Sequence, residues 1–286
     1  IPLLIGVDEE GGTVVRVSSN PNLRETPFLS PKDTYADGGW DAVKQDAEEK
    51  ADLLLSLGIN VNLAPVCDMT SDEYGFMYDR SFSSDVDMEN RYVRTVVETS
   101  KSKKLGTVLK HFPGYGNNSD THTGIAYDDR DYSEFENTDF KPFYQGIESG
   151  ADCILVSHNI VNCMDSEYPA SLSQKVHDIL RNEFKFDGVI MTDDLIMDAI
   201  TDFTGDEAAA VTAAKCGNDL LCCSSVNTQY PAVLEAVQNG EIPEAQVDAS
   251  VKRILKWKQN LGIFSIDTYQ KKVKSTEPTD TVGSEE

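Results

Sequence analysis

The chain has 286 residues, of which 49 are acidic and 25 are basic, so its formal net charge is −24 at pH 7. A chain of this length forms one large domain or two small ones and buries a sizeable core without disulfides or metal. The negative charge argues against nucleic acid and anionic membrane surfaces as partners, and no apolar run of the sequence is long enough to span a membrane.

Apolar runs typical of strands alternate with amphipathic helical patterns along the chain. Strands are predicted at residues 3–7, 59–66, 107–109, 153–157, 188–191 and 220–223, and helices at residues 39–57, 88–105, 134–149, 173–184, 206–216, 228–239 and 243–261. Single helices between strands predict βαβ units and a parallel sheet. The continuous apolar character of the strands predicts that this sheet is buried on both faces.

Polar side chains stand at the ends of several predicted strands, namely Asp8, Asp68, Lys110, His111, His158 and Asp193. An eight-stranded barrel brings all strand ends to one mouth, whereas an open doubly wound sheet concentrates function at one switch point. The dispersed polar residues favour the barrel, and the sequence has neither a GxGxxG motif after a strand nor a Walker A motif. We therefore predict a TIM-type (β/α)8 barrel that lacks an N-terminal piece in this chain.

Asp193 directly follows an apolar strand pattern, which places it where a barrel strand opens into the mouth. A carboxylate at such a strand end suits a nucleophile or a general base. The structural alternative is an N-cap for the helix that follows. Asp194 is expected to point elsewhere, because neighbouring strand residues face opposite sides.

The segment from Lys110 to His122 concentrates ionisable groups in a stretch broken by proline and glycine. Asp120 lies two positions before His122, and a carboxylate that fixes an imidazole tautomer and raises its basicity suits a proton shuttle. A solvated loop histidine is the alternative. Lys110 and His111 can both face the mouth only if the chain turns sharply, and Pro113–Gly114 supplies that turn. There is no GxSxG elbow to indicate a serine hydrolase.

Metal and disulfide chemistry find little support in the sequence. The six cysteines show no zinc or disulfide spacing, and most lie in apolar runs where a thiol packs as a small hydrophobe. Asp120, His122, His111 and His158 are in principle enough for a binuclear metal site, but the chain has only four histidines and no HxH or HExxH pattern. We therefore expect reduced thiols, no metal and no cofactor.

The ordered set of motifs resembles the catalytic barrel of glycoside hydrolase family 3, in its β-N-acetylhexosaminidase branch (the NagZ type). The matching segments extend to about residue 225 and are 6–12 (GVDEEGG, with Val14 and Arg16), 62–68 (NLAPVCD), 79–82 (DRSF), 110–114 (KHFPG, with Gly116), 120–122 (DTH), 157–158 (SH), 169–173 (PASLS) and 188–195 (GVIMTDDL). Any one of these motifs is a weak signal, whereas their order along the chain is specific.

Residue by residue, the resemblance implies that Asp193 is the nucleophile and that His122, held by Asp120, is the general acid/base. It implies a set of residues that bind the N-acetylglucosamine unit, namely Asp8, Arg16, Arg80, Lys110 and His111. The implied activity is that of a retaining exo-β-N-acetylglucosaminidase acting on peptidoglycan fragments or chitooligosaccharides through a covalent glycosyl-Asp intermediate. From the residues alone, surface ion pairs remain the alternative for Arg16, Arg80 and Lys110.

The chain departs from the family pattern in ways that leave the catalytic groups in place. Tyr115 stands where the family usually has His or Arg, Thr121 replaces the usual Ser, and residues 123–127 lack the common Pro. The first strand and helix of the family barrel are absent. We expect a catalytic barrel over residues 1–268 and an acidic Ser/Thr-rich, disordered tail over residues 269–286.

Three other functions stay open at this stage. A neutral His acid/base leaves no permanent anion beside the site, so phosphate can replace water and make the protein a phosphorylase. A family 3 β-glucosidase takes its acid/base from a second domain, and a non-catalytic sugar-binding module is the last alternative. We expect a monomer whose partner is a small sugar substrate. The compartment is open, because the thiols favour the cytoplasm whereas the tail fits a secreted or cell-envelope protein.

Overall fold

The computed structural model describes residues 1–118, 124–204 and 206–270. Within these ranges six strands form one parallel sheet. They are β1 (Gly6–Val7), β2 (Val61–Asn62), β3 (Gly106–Phe112), β5 (Cys153–Val156), β7 (Val189–Asp194) and β8 (Leu220–Cys222). The strands β4 (Tyr127–Asp128) and β6 (Ile160–Val161), which the sequence did not predict, form a separate parallel pair.

The order of strands in the large sheet is β1-β2-β3-β5-β7-β8, which is also their order along the chain. A doubly wound sheet reverses its order at a switch point, and this sheet has no such reversal among the described residues. Sequential parallel strands with helices between them are the arrangement of a (β/α)8 barrel. The predicted TIM-type fold is confirmed, with six of its strands in the described part of the chain.

Nine helices are described between and after these strands. They are α1 (Pro31–Ser56), α2 (Val86–Ser102), α3 (Tyr132–Asn137), α4 (Phe140–Ser149), α5 (Gln174–Asp178), α6 (Asp198–Thr204), α7 (Asp206–Lys215), α8 (Val226–Gln238) and α9 (Glu244–Asn260). A 3-10 turn covers Ala170–Leu172, and a π-helical turn at Ile179–Glu183 continues α5. No described helix is long and apolar enough to cross a membrane.

Two predicted helices differ from those in the structure. The helix predicted at 39–57 begins earlier, at Pro31, where Ser30 Oγ accepts a hydrogen bond from the Asp33 N–H; α1 then bends at Gly38 and Gly39, which have non-helical dihedral angles. The helix predicted at 134–149 is two helices, α3 and α4, with a break at residues 138–139. In both cases a local capping or bending feature outweighed the apolar periodicity.

One strand boundary also differs from prediction. The strand predicted at 59–66 is regular only at Val61–Asn62 and continues as isolated contacts with β3, because Pro65 has no N–H to give to the ladder. At the other end of the chain, residues 266–270 form a helical turn, and the rest of the predicted tail, residues 271–286, lies outside the described residues.

Alternation along the strands divides the sheet into an inner and an outer face. The inner face carries a buried layer built by Val61, Val108, Cys153, Leu155, Val189 and Met191. Trp257 and Leu261 at the end of α9 join this layer, and Trp257 lies beside Gly106, the first residue of β3. The end of α9 therefore covers the amino-terminal end of the barrel interior.

The outer face packs against the surrounding helices. Its buried side chains include Leu109, Ile154 and Ile190, which share one cluster with Phe140 and Phe143 of α4. With apolar layers on both faces and α9 at the amino-terminal end, the carboxyl ends of the strands are the edge of the sheet where polar groups collect.

Candidate active site

Alternation places Lys110 and Asp193 above the inner apolar layer. Lys110 follows Val108 by two residues in β3, and Asp193 follows Met191 by two in β7, so each shares the face of a buried inner residue. Asp8 follows β1 directly. This arrangement agrees with the prediction that polar residues from several strand ends meet at one end of the barrel.

A buried ion-pair cluster joins the ends of β1 and β3. The Lys110 ammonium, with only 3% of its side chain exposed, lies 2.5 Å from Asp8 Oδ1 and 2.7 Å from Glu10 Oε1. Arg80 donates to both oxygens of Glu10, from Nε at 2.9 Å and from a terminal nitrogen at 2.8 Å. We name these four residues, Asp8, Glu10, Arg80 and Lys110, the cation–carboxylate cluster.

The charges of this cluster stabilise one another. Burial alone would raise the pKa of Glu10, but Lys110 and Arg80 lower it to about 2. Burial alone would lower the pKa of Lys110, yet Glu10 and Asp8 hold it above its usual value. Both cations and Glu10 are therefore charged at neutral pH, and Asp8, whose side chain is 35% exposed, is the member of the cluster most open to a ligand.

Glu9 has a different task from its neighbour Glu10. Its buried carboxylate accepts hydrogen bonds from the backbone N–H groups of Arg16, Val17 and Ser18, and from the Ser18 hydroxyl. A carboxylate that accepts several backbone donors fixes the loop that supplies them. Glu9 thus holds the turn after β1, while Glu10 faces the cluster.

His111 is oriented by Asp68, which follows β2. Asp68 Oδ2 accepts from His111 Nδ1 at 2.7 Å and from the His111 N–H at 3.0 Å, and Oδ1 accepts from the Tyr115 N–H at 2.8 Å. Because a carboxylate only accepts, Nδ1 carries the proton. His111 Nε2 lies 3.2 Å from an Arg80 nitrogen, which only donates, so Nε2 is the acceptor. Lys110 and His111 therefore both reach the cluster, and the peptide bond that joins them is cis.

Tyr115, the position where the chain departs from the family pattern, is part of this arrangement. Its ring is buried and packs edge-on against the His111 ring, with centroids 5.2 Å apart. The aromatic residue thus adds a packing contact to the hydrogen bonds that orient His111.

Asp193 is a partly buried carboxylate on the inner face, and its Oδ1 accepts from the Asp194 N–H at 2.9 Å. Burial would raise the pKa of Asp193, but His158, His111, the Asp194 N–H and Lys110 together lower it below its ordinary value. Asp193 is therefore ionised at neutral pH, which a nucleophile requires.

Asp194 points away from Asp193, as the sequence predicted. Its carboxylate accepts from the backbone N–H and the hydroxyl of Ser224. The Asp194 carbonyl accepts from His158 Nε2 at 3.0 Å, and Nδ1 of the same ring lies 2.7 Å from Ser171 Oγ. The motif residues His158 and Ser171 thus hold the backbone directly after Asp193.

Three of the predicted site residues are not placed in this arrangement. Arg16 is exposed, and the contact that the structure records for its guanidinium is with the neighbouring Val15 carbonyl. Asp120 and His122 lie outside the described residues, which stop at 118 and resume at 124. In the described ranges, no group of three or more His, Cys, Asp and Glu residues is arranged to hold a metal ion.

The sequence reasoning missed Glu9, Glu10 and the orienting role of Asp68. Adjacent carboxylates after an apolar strand pattern were a usable signal, since two charges that become buried at such a place need separate partners. Asp68 was seen as a strand-end residue, but its pairing with His111 depends on the register of β2 and β3, which the sequence does not show.

Comparison with known proteins gives consistent matches. Residues 1–257 match the family model described as glycosyl hydrolase family 3 N terminal domain. A beta-hexosaminidase of Hydrogenovibrio crunogenus is 34% identical over 252 residues, which are 86% of this chain and 70% of that protein. A beta-hexosaminidase of Nitrosomonas eutropha is 33% identical over 230 residues, covering 78% of this chain and 65% of that protein.

A solved structure shares the fold. The glycoside hydrolase family 3 beta-N-acetylglucosaminidase from Paenibacillus sp. str. FPU-7 superposes with a TM-score of 0.85 at 30% identity. The match covers 92% of this chain and 51% of that one. The chain therefore spans about half the length of this structural relative and about two thirds of the two sequence relatives.

Proposed function

This chain belongs to glycosyl hydrolase family 3, and on that premise we propose that it is a retaining exo-β-N-acetylglucosaminidase. As a member of the family it is a glycoside hydrolase. The proposal adds the sugar, the stereochemical course and the residues that carry the reaction. It takes residues 1–268 as the catalytic barrel and residues 269–286 as a tail.

The observation that carries the proposal is the Asp193 carboxylate. It lies on the inner face at the carboxyl end of β7 and shares the barrel mouth with His158, His111 and Lys110, which lower its pKa below the ordinary value. In the first step Asp193 attacks the anomeric carbon and forms an ester, while His122 gives its proton to the leaving oxygen. In the second step His122 takes a proton from water, and the water oxygen displaces the Asp193 carboxylate. Each displacement inverts the anomeric carbon, so the product keeps the β configuration.

The cation–carboxylate cluster supports a binding role toward sugar hydroxyls. Asp8 offers a partly exposed carboxylate as an acceptor, and Lys110 offers a fixed ammonium as a donor, since both are already oriented by their mutual contact. Arg80 and His111 extend the same polar wall. Charge-assisted hydrogen bonds of this kind select a polyhydroxy ring in one orientation.

The names of the relatives support the proposed substrate class. Proteins named beta-hexosaminidase and beta-N-acetylglucosaminidase share the fold and about a third of the sequence. We accordingly propose that Asp193 forms its bond to a terminal N-acetyl-β-D-glucosamine unit. The enzyme would remove this unit from peptidoglycan fragments or chitooligosaccharides.

Replacement of the nucleophile tests the proposal. Asp193→Asn keeps the shape of the side chain but removes its charge, so the turnover number for an aryl N-acetyl-β-glucosaminide should fall by a factor of roughly 10⁴. Asp194→Asn is the matched control, because Asp194 bonds Ser224 instead, and it should retain most of the wild-type turnover. Wild-type rates in Asp193→Asn would show that the assignment is wrong.

Water is the acceptor in this proposal, and phosphate is the alternative acceptor. Identification of the sugar product in assays with and without added phosphate separates the two. Release of free N-acetylglucosamine at a rate independent of phosphate supports hydrolysis. Formation of N-acetylglucosamine 1-phosphate would instead show that the reaction is phosphorolysis.

A further inference from the structure

Lys50 is a buried cation of α1 that bonds the turn after β1. Its ammonium donates to the Glu10 carbonyl at 2.9 Å and to Asp46 Oδ2 at 2.6 Å. The side chain of Lys50 is 9% exposed, and that of Asp46, four residues earlier in the helix, is 19% exposed. The Phe28 ring also lies near the ammonium, with its centroid 5.1 Å away. Lys50 therefore links α1 to the main chain of one member of the cation–carboxylate cluster.

The Glu10 carbonyl belongs to a turn whose main chain is hydrogen-bonded on both sides of it. The N–H groups of Glu10 and Gly11 both donate to the Val14 carbonyl, at 3.0 and 3.1 Å. Among the described residues, Lys50 is the donor recorded for the Glu10 carbonyl itself. The ammonium thus completes the hydrogen bonds of this turn, and its loss would leave a buried acceptor without a partner.

The turn is also packed closely against the ammonium. Gly11 has a positive φ of 105°, and a Cβ added to it would lie 3.3 Å from Lys50 Nζ and would collide with the Leu29 carbonyl oxygen. The backbone directly after Glu10 is therefore in contact with Lys50, so a change of this side chain acts on the turn itself.

The course of this backbone sets the position of the Glu10 carboxylate. That carboxylate is 2% exposed and lies 2.7 Å from the Lys110 ammonium, and it accepts from two Arg80 nitrogens at 2.8 and 2.9 Å. Charge-assisted hydrogen bonds are short and directional, so the direction of both cations follows from where the carboxylate stands. A shift of the turn would therefore move the polar groups that face a bound sugar.

We infer that Lys50 is a positioning residue for sugar binding, which acts through the main chain of Glu10. The inference rests on the proposed function, in which the cation–carboxylate cluster binds N-acetylglucosamine. The structural alternative is that Lys50 and Asp46 only stabilise α1, since pairs of opposite charge four residues apart stabilise helices. The two roles differ in a testable way, because among the recorded contacts only Lys50 of this pair reaches Glu10.

Lys50→Met tests the inference, because methionine keeps an unbranched stem and removes the ammonium that bonds Glu10. KM for an aryl N-acetyl-β-glucosaminide, and the Kd of N-acetylglucosamine measured by calorimetry, should both rise about 10-fold. The turnover number should change by less than about threefold, since the lost interaction serves binding.

Asp46→Asn is the matched control. It weakens the same ion pair but leaves the Lys50 ammonium in place as a donor to the Glu10 carbonyl. Urea unfolding should show a loss of stability in this variant, whereas KM and Kd should stay within about twofold of wild type. Equal increases of KM in Asp46→Asn and Lys50→Met would overturn the positioning role.

Coupling to Glu10 separates positioning from general destabilisation. Glu10→Gln already weakens the contacts with Arg80 and Lys110, so adding Lys50→Met should raise KM by less than about threefold further. A residue that acts independently of Glu10 would raise KM by the same factor in both backgrounds. Such an independent effect would contradict the inference.

A second variant covers the case in which Lys50→Met does not fold, because that change leaves Asp46 unpaired. Asp46→Leu combined with Lys50→Met removes both charges, and replacement of a buried ion pair by apolar side chains is often neutral for stability. The double variant should unfold near the wild-type urea concentration and still show the increase in KM and Kd.

The outcomes distinguish this inference from the proposed function. If the wild-type protein cleaves the aryl glycoside and KM and Kd are unchanged in a folded variant that lacks Lys50, the inference fails and the proposed function stands. If the wild-type protein neither cleaves the aryl glycoside nor binds N-acetylglucosamine, the proposed function fails, and the inference fails with it.

Discussion

At the scale of single residues, the site depends on charges that are buried together. Glu10 receives Arg80 and Lys110, and Lys110 is shared with Asp8. A single charge buried without a partner would lose its hydration and gain no compensating interaction, so it would be unstable in the interior. The same contacts that stabilise the charges also fix the direction of each donor before a ligand arrives.

The pH dependence of stability should reveal Glu10. Its pKa is lowered from 4.5 to about 2 in the folded protein, so its contribution is fully present above pH 4.5 and is lost as the pH falls towards 2. The shift corresponds to about 3 kcal/mol. Glu10→Gln should therefore lower the free energy of unfolding by about 3 kcal/mol at pH 7, and the difference from wild type should shrink below pH 4.5.

Urea unfolding at several pH values measures this difference. Glu148→Gln, on the exposed side of α4, is the control and should change stability by less than about 0.5 kcal/mol. A Glu10→Gln deficit that stays the same from pH 7 to pH 3 would contradict the assignment of the pKa shift to the folded state.

The sequence predicted these residues unevenly. Asp8, Lys110, His111 and Asp193 were predicted at strand ends, because apolar runs reveal where strands stop. The different tasks of Glu9 and Glu10 were not predictable, since they depend on how the chain turns after β1 and on the position of Arg80, far away in sequence.

At the scale of elements, alternation within β7 separates the groups of the site from the groups that support it. Val189, Met191 and Asp193 share the inner face, while Ile190 lies in the outer core and Asp194 bonds Ser224. A period of two therefore decides which of two adjacent aspartates enters the mouth. This much follows from the sequence once β7 is identified as a strand.

The end of α9 should be a main contributor to the stability of the barrel. Trp257 is 2% exposed and packs with inner-face residues of β3, β5 and β7, so Trp257→Ala should cost about 3–5 kcal/mol. Trp257→Phe should cost less, because it retains most of the apolar contact and removes an indole N–H that has no hydrogen-bond partner among the described residues. Thermal and urea unfolding measure both, and equal losses in the two variants would contradict the packing role.

Element boundaries were the least predictable feature of the fold. The apolar periodicity of residues 134–149 continues across the junction of α3 and α4, but Asp139 is used by Arg130 and begins a new helix. The short strands β4 and β6 have no distinct apolar pattern, and their pairing beside the Arg130 ion pairs is a tertiary feature. Local patterns do not contain the long-range contacts that set these boundaries.

At the scale of the whole molecule, the sequential parallel sheet explains why a site can be assembled from distant parts of the chain. Residues 8, 68, 110 and 193 follow or end four different strands, and parallel strands bring their carboxyl ends to one edge. The fold class was predictable, because alternating elements and dispersed polar strand ends suffice for it. Asp120 and His122 lie outside the described residues.

The central claim is that Asp193 forms a covalent bond to the sugar. A 5-fluoro N-acetylglucosaminyl fluoride slows release of such an intermediate more than its formation, so brief exposure followed by proteolysis and mass spectrometry tests the claim directly. We predict one sugar adduct per chain, located on Asp193 and absent from Asp193→Asn. An adduct on any other residue would contradict the account.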